Sequence, residues 1–152
     1  YKRTRIFNNR IKGYIDALKK HNLPLSDELL IESNLSTIDG REKMLQLLSL
    51  ENKPDAVYVA GDYAALGALQ ILNEKKIKVP EEIALVGFGN EPFSSMVTPS
   101  ITSIEQHSEE IGKQAAYVFL EHIKKDVVKQ TLTKKILDVD LLIRDSSNKK
   151  KF

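Results

Sequence analysis

The chain has 152 residues, 41% of them hydrophobic and 29% charged, with a formal net charge of +2 and no cysteine. That length suffices for one domain with a sizeable core, and the near-neutral balance gives these residues no global attraction for nucleic acid. Disulfides, thiolate metal sites and cysteine nucleophiles are excluded, and no apolar run approaches the ~20 residues of a membrane span.

The sequence opens at Tyr1, without methionine or a charged-then-apolar leader, and its first ten residues carry no sign of a domain start. A piece of a longer protein is expected, with any targeting or DNA-binding segment lying upstream. Asn8 or Asn9 can cap a first helix with Ile11, Tyr14, Ile15 and Leu18 on one face, ending near His21-Asn22 before Pro24. Leu29-Leu-Ile31 reads as a short buried strand. Asp39 can cap a second helix carrying Met44, Leu45, Leu47 and Leu48. After Pro54-Asp55 comes a continuous apolar run over 56–60, the pattern of a strand covered on both faces. Asp62 can cap a third helix, with Leu66, Leu69, Ile71 and Leu72 turned inward.

A strand over 83–86 follows Pro80 and leads into the turn-rich loop Gly87-Phe-Gly-Asn-Glu-Pro-Phe93. An extended piece from Ile101 to Ile104 precedes a fourth helix over about 107–124, which carries Ile111, Ala115, Val118, Phe119 and Ile123 on one face. The last segment alternates, with Leu137, Val139, Leu141 and Ile143 on one side, as in a half-exposed strand. The short basic clusters Lys134-Lys135 and Lys149-Lys-Lys151 read as solvated surface. Strands alternating with helices predict an α/β fold, a parallel sheet flanked by helices and joined by right-handed crossovers. Ligands of such sheets bind outside the carboxyl ends of the strands, which places a crevice at Gly61-Asp62 and at the loop through Asn90 and Glu91.

Catalytic and nucleotide signatures are missing. There is no G-x-S-x-G elbow, H-E-x-x-H pair or phosphate loop, and Gly87-x-Gly89 lacks a third glycine and runs to Pro92. His21, His107 and His122 are far apart and read as helix-end or surface groups. Glu81-Glu82 and Glu109-Glu110 read as solvated or helix-start charges. No enzyme, cofactor or metal is expected. Asp62 has two readings, a helix N-cap or a ligand contact accepting hydroxyl hydrogen bonds. Asn90 and Glu91 suit hydroxylated ligands, with an Asx-turn as the alternative.

Five stretches in chain order resemble the lactose/galactose-repressor (LacI/GalR) family of bacterial regulators. They are Arg10-Ile-Lys-Gly-Tyr-Ile-Asp-Ala-Leu18, Pro54-Asp-Ala-Val-Tyr-Val-Ala-Gly-Asp-Tyr-Ala-Ala-Leu-Gly-Ala-Leu69, Val79-Pro-Glu-Glu-Ile-Ala-Leu-Val-Gly-Phe88, Thr98-Pro-Ser-Ile-Thr-Ser-Ile-Glu-Gln106 and Leu142-Ile-Arg-Asp-Ser-Ser147. The resemblance implies a two-lobed fold like that of type I periplasmic sugar-binding proteins, of which this chain supplies mostly the C-terminal lobe. Residues 1–100 would form that lobe, 101–130 a crossover and a helix belonging to the N-terminal lobe, 131–147 the closing strand, and 148–152 a tail.

It also implies a sugar-like effector held between the lobes, a homodimer in the cytoplasm, and DNA binding through a helix-turn-helix absent from these residues. An extracytoplasmic sugar receptor with the same fold is the alternative. By position, Arg10 matches an effector-binding arginine, with a helix-surface salt bridge as its other reading. Gln106 matches a crossover contact and Leu35 falls near a stacking position. Gly61 stands where the family usually has asparagine, and Gly89 where it usually has aspartate. Asp62 and Asn90 are the neighbours able to substitute.

Overall fold

A computed structural model describes residues 5–124 and 134–149 of the chain. Residues 125–130 of the expected crossover segment, 131–133 of the expected closing segment and 150–152 of the expected tail lie outside the described residues. Four helices are described, α1 (Arg5–Lys20), α2 (Thr37–Leu48), α3 (Asp62–Glu74) and α4 (Ser108–Lys124). Four strands form one sheet in the order β1 (Ala56–Tyr58), β2 (Ala84–Phe88), β3 (Thr102–Glu105) and β4 (Asp140–Leu142). The first three run parallel, with Ala56 opposite Ala84 and Val86 opposite Thr102, and β4 pairs antiparallel with β3. The α/β class read from the sequence is the class observed.

The core forms where the apolar faces of α2 and α3 meet β2. Met44, Leu47, Leu69, Leu72, Ile83, Leu85 and Ile101 pack there with little or no exposure. Two glycines allow the α2–α3 approach. A Cβ on Gly67 would lie 2.0 Å from the Thr37 carbonyl oxygen, and one on Gly40 would lie 2.1 Å from that of Ala64.

Several local expectations change. Ser36, not Asp39, caps α2, its hydroxyl accepting from the Asp39 amide at 3.1 Å. The Asp39 carboxylate instead accepts from the Ser33 hydroxyl and the Asn34 amide, closing the preceding turn. Gly61, in extended backbone, is the N-cap of α3, so Asp62 is its first helical residue. No strand forms at 29–31. A 3-10 turn spans Asp27–Leu29, and the chain after it, with Leu30, Ile31 and Leu35 half-buried, runs irregularly to α2. β1 is an edge strand with Tyr58 37% exposed, so its apolar run is not covered on both faces.

The alternating final segment faces the opposite way from a core strand, because its register is fixed by polar residues. The Arg144 amide donates to the Thr102 hydroxyl at 2.8 Å. The fully buried Ser146 hydroxyl donates to the Leu85 carbonyl at 2.6 Å and accepts from the Thr102 amide at 2.8 Å. With a side-chain period of two, turning residue 146 inward turns Val139, Leu141 and Ile143 outward, and all three are exposed. In α4, Tyr117, Phe119, Leu120 and Ile123 are likewise exposed.

The glycine crossing generates a prediction. Gly67→Ala drives a methyl into backbone and should cost about 3 kcal/mol of unfolding free energy. Gly13→Ala, in α1 with nothing within 4 Å of the added carbon, should gain about 0.5–1 kcal/mol. Urea denaturation of this chain checks both signs.

Candidate ligand crevice

Each parallel strand ends at the same edge of the sheet. β1 passes through Ala60 to Gly61, β2 ends at Phe88-Gly89, and β3 ends at Glu105, directly before the half-buried Gln106. Arg10 reaches this edge from the middle of α1. Its guanidinium donates to the Ala60 carbonyl at 2.8 Å and lies over the Phe88 ring, 3.7 Å from the centroid. Burial lowers its pKa from the ordinary value, opposed by the nearby Tyr58. Burial also raises the pKa of Tyr58, and the Arg10 charge works against that rise. The helix-surface salt bridge does not form, and no carboxylate among the described residues pairs with Arg10.

Leu35 closes one side, in left-handed backbone with φ 62°. A Cβ on Gly61 would meet the Leu35 side chain at 3.4 Å, an ordinary contact, so Leu35 borders the space an asparagine side chain would enter. Gly89 has φ +126°, a conformation that side chains rarely adopt, so the backbone here favours glycine over aspartate. A cavity of about 530 Å3 runs from Arg10 and Leu35 along the free edge of β1 towards Pro54.

Asp62 and Asn90 are turned away from this opening. Asp62 is 2% exposed, and its carboxylate accepts from the Ser103 hydroxyl at 2.8 Å and from the Glu91 amide at 2.8 Å. A Cβ on Gly87 would lie 2.1 Å from the same carboxylate, so this group occupies the space above β2. Asn90, at φ 52°, donates through Nδ2 to Glu105 at 2.7 Å. Its Oδ1 accepts from Arg144 at 2.6 Å, and no Asx-turn forms.

Arg144 is a residue that sequence reasoning left inside a motif without a role. Its other donor, NH1, serves the Ser94 hydroxyl at 3.0 Å and the Ile101 carbonyl at 2.7 Å, so one guanidinium ties the loop after β2 to the start of β3. Position alone could not assign it. Beside this network His107 lies 3.0 Å from Asp140, and His122 bonds the Val118 carbonyl at 2.7 Å. Among the described residues no group of three or more histidines and carboxylates is placed to hold a metal ion.

Comparison with known proteins agrees with this architecture. The periplasmic binding protein-like domain family matches residues 2–147. The chain belongs to that family. It is 34% identical over 141 residues to the HTH-type transcriptional repressor PurR of Mannheimia succiniciproducens, covering 92% of this chain and 41% of the repressor. A LacI family transcriptional regulator from Lactobacillus casei, solved with bound sucrose, superposes with a TM-score of 0.79 at 27% identity, over 92% of this chain and 51% of that one. The transcriptional regulator CelR in complex with cellobiose gives 0.90 at 25% identity, over 97% of this chain and 44% of that one. The resemblance to the effector-binding region of LacI/GalR regulators therefore stands. The chain spans about two fifths to half the length of these proteins.

Two predictions follow the buried and titratable groups. Asp62→Asn keeps the shape but cannot accept from both partners with full charge, and should lower stability by about 1–3 kcal/mol in urea denaturation. The Asn90 amide, with the His107 N–H, holds Glu105 below the usual carboxylate range, and the Ser33 hydroxyl does the same for Asp39. Groups depressed on folding contribute stability that is complete above the unfolded value of ~4 and lost as pH falls through the folded value. Unfolding midpoints should hold from pH 7 to about 5 and drop below about 4, with a shallower acid limb in Glu105→Gln.

Proposed function

We propose that this chain is the effector-sensing and dimerisation core of a LacI-type DNA-binding transcription regulator, binding a sugar-like small molecule between two lobes. The observation that carries the reading is Arg10, a half-buried guanidinium with no carboxylate partner among the described residues, held at the carboxyl edge of a parallel sheet beside an open cavity. The relatives named above support it, because they are transcriptional repressors and regulators, two of them solved with a sugar bound.

On this reading Arg10, Leu35, Gly61, Gly89 and Gln106 border the effector, while Asp62 and Asn90 hold the wall from behind. Residues 1–100 belong to the C-terminal lobe, and 101–130 cross to the other lobe, to which α4 belongs. Residues 131–147 return to close the sheet. The exposed apolar side chains of α4 support this division, since a helix packs such a face against something. Effector binding shifts the relative population of two lobe arrangements, and the headpieces of a cytoplasmic homodimer read that shift on DNA. No catalytic step is assigned. The alternative, an extracytoplasmic sugar receptor, is less favoured, because the relatives named above are transcription regulators.

The test is a thermal-shift screen of the full-length protein against pentoses, hexoses, disaccharides, uronic acids and purines, with sedimentation in parallel. A true effector at 100 times its dissociation constant stabilises the fold by ~2.7 kcal/mol. Stabilisation by one class in a sedimenting dimer is expected. A monomer at high concentration, or silence across the whole panel, overturns the reading.

A further inference from the structure

The joint between β3 and α4 gathers charge that the crevice does not use. Glu105 ends β3 directly opposite Asp140, the first residue of β4, so two carboxylates face one another across an antiparallel pair. Like charges in that position repel. His107 lies against both. Its backbone N–H donates to Glu105 at 2.6 Å, and its ring Nε2 meets the Asp140 carboxylate at 3.0 Å, which requires a proton on that nitrogen. The neighbouring charges are engaged elsewhere. On α4, Lys113 pairs with Glu109 at 2.8 Å, and Glu110 accepts from Gln114 at 2.7 Å. Beyond β4, Arg144 serves Asn90, Ser94 and Ile101, and only the neutral Asn90 amide passes on to Glu105. Glu105 is held below the usual carboxylate range by that amide first, then by the His107 N–H, with the His107 charge adding to both.

The same residue shapes the path of the chain. His107 has φ 54°, in the left-handed region, and its carbonyl accepts the first backbone hydrogen bond of α4, from Ile111 at 2.9 Å. One residue of reversed hand sets the direction in which α4 leaves the sheet, and the ring contact with Asp140 holds that residue against β4. Further along α4 the side chains of Tyr117, Phe119, Leu120 and Ile123 are exposed, so the joint is a main support of the helix's position.

We propose that His107 and Asp140 form a proton-sensitive latch that fixes the angle at which α4 departs from the sheet. With the imidazole protonated, a cation lies between Glu105 and Asp140, and the bond to Asp140 is charge-assisted. With the imidazole neutral, Nε2–H can still bond, but two carboxylates face each other with no cation between them, and the latch loosens. Imidazole is the side chain that changes charge between about pH 5 and 8, so the joint responds there. Both partners are largely exposed, so the effect is local and leaves global stability nearly unchanged. The latch holds whichever ligand class the crevice takes. On the proposed division at 101–130 it lies where the chain crosses between lobes, and a change of angle at one residue is carried to everything α4 supports.

Amide hydrogen exchange on this chain tests the latch, at about pH 5.5 and about pH 8, with rates corrected for the intrinsic pH dependence of exchange. The amides of Ile111 and Gly112, in the first turns of α4, should be about threefold better protected at the acid pH, the scale of an exposed ion pair. His107→Asn, which suits left-handed backbone and carries no charge, should abolish the difference. Asp140→Asn should abolish it from the other side of the bond, and the double variant should add nothing further. His21→Gln, at the end of α1, should leave it in place. A melting curve of each variant reports folding separately, and Asp140→Asn serves alone if His107→Asn melts early. Equal protection at the two pH values, or a difference that survives either substitution in a folded variant, overturns the latch.

Discussion

The Asp62 carboxylate is the fixed point of the crevice. It sits at the first residue of α3, takes the hydroxyl of Ser103 from β3, and takes the amide of Glu91 from the loop after β2. Three segments distant in sequence meet on one buried group. Its cost is desolvation, which these hydrogen bonds offset. Its consequence is Gly87, because nothing larger fits between the strand and the carboxylate. The Ser103 hydroxyl passes the order onward by accepting from the Asn90 amide, and Asn90 is bonded in turn by Arg144 and Glu105. The wall behind the opening is thus a continuous polar network, while Arg10 and Leu35 border the opening itself.

That division separates rigidity from recognition. Groups that fix geometry are buried and paired, while Arg10 at the opening is oriented by Ala60 and Phe88 and has no carboxylate partner among the described residues. On the proposed reading a ligand meets a preorganised donor and need not displace internal hydrogen bonds to reach it.

Much of this was legible in the sequence, for identifiable reasons. Apolar runs punctuated by Pro54, Gly61, Pro80 and Gly87 announced the strand, turn, helix and strand that build the crevice, because local periodicity and turn chemistry are short-range properties. Arg10 was legible only through its motif, and the contact with Phe88 spans too much chain to be read from spacing. The direction of Asp62 and Asn90 was hidden for the same reason. Both residue types suited a ligand, and only the placement of Ser103 and Arg144 shows that they are already occupied. β1 read as a covered strand because an apolar run does not say how many neighbours it has. The final segment read as half-exposed, but alternation alone did not say which side faces in, which Arg144 and Ser146 beyond β4 decide by turning inward.

The two bare positions at the opening differ in how much change they tolerate. Gly61 sits in extended backbone, where any residue is comfortable, with only the yielding side chain of Leu35 nearby. Gly89 is held in a conformation that penalises every other residue. Over evolutionary time, then, this site has one wall on which chemistry can be rewritten by single substitutions and another that changes only if the backbone moves with it. Divergence in what such proteins recognise should accumulate first along the side shared by positions 61 and 35.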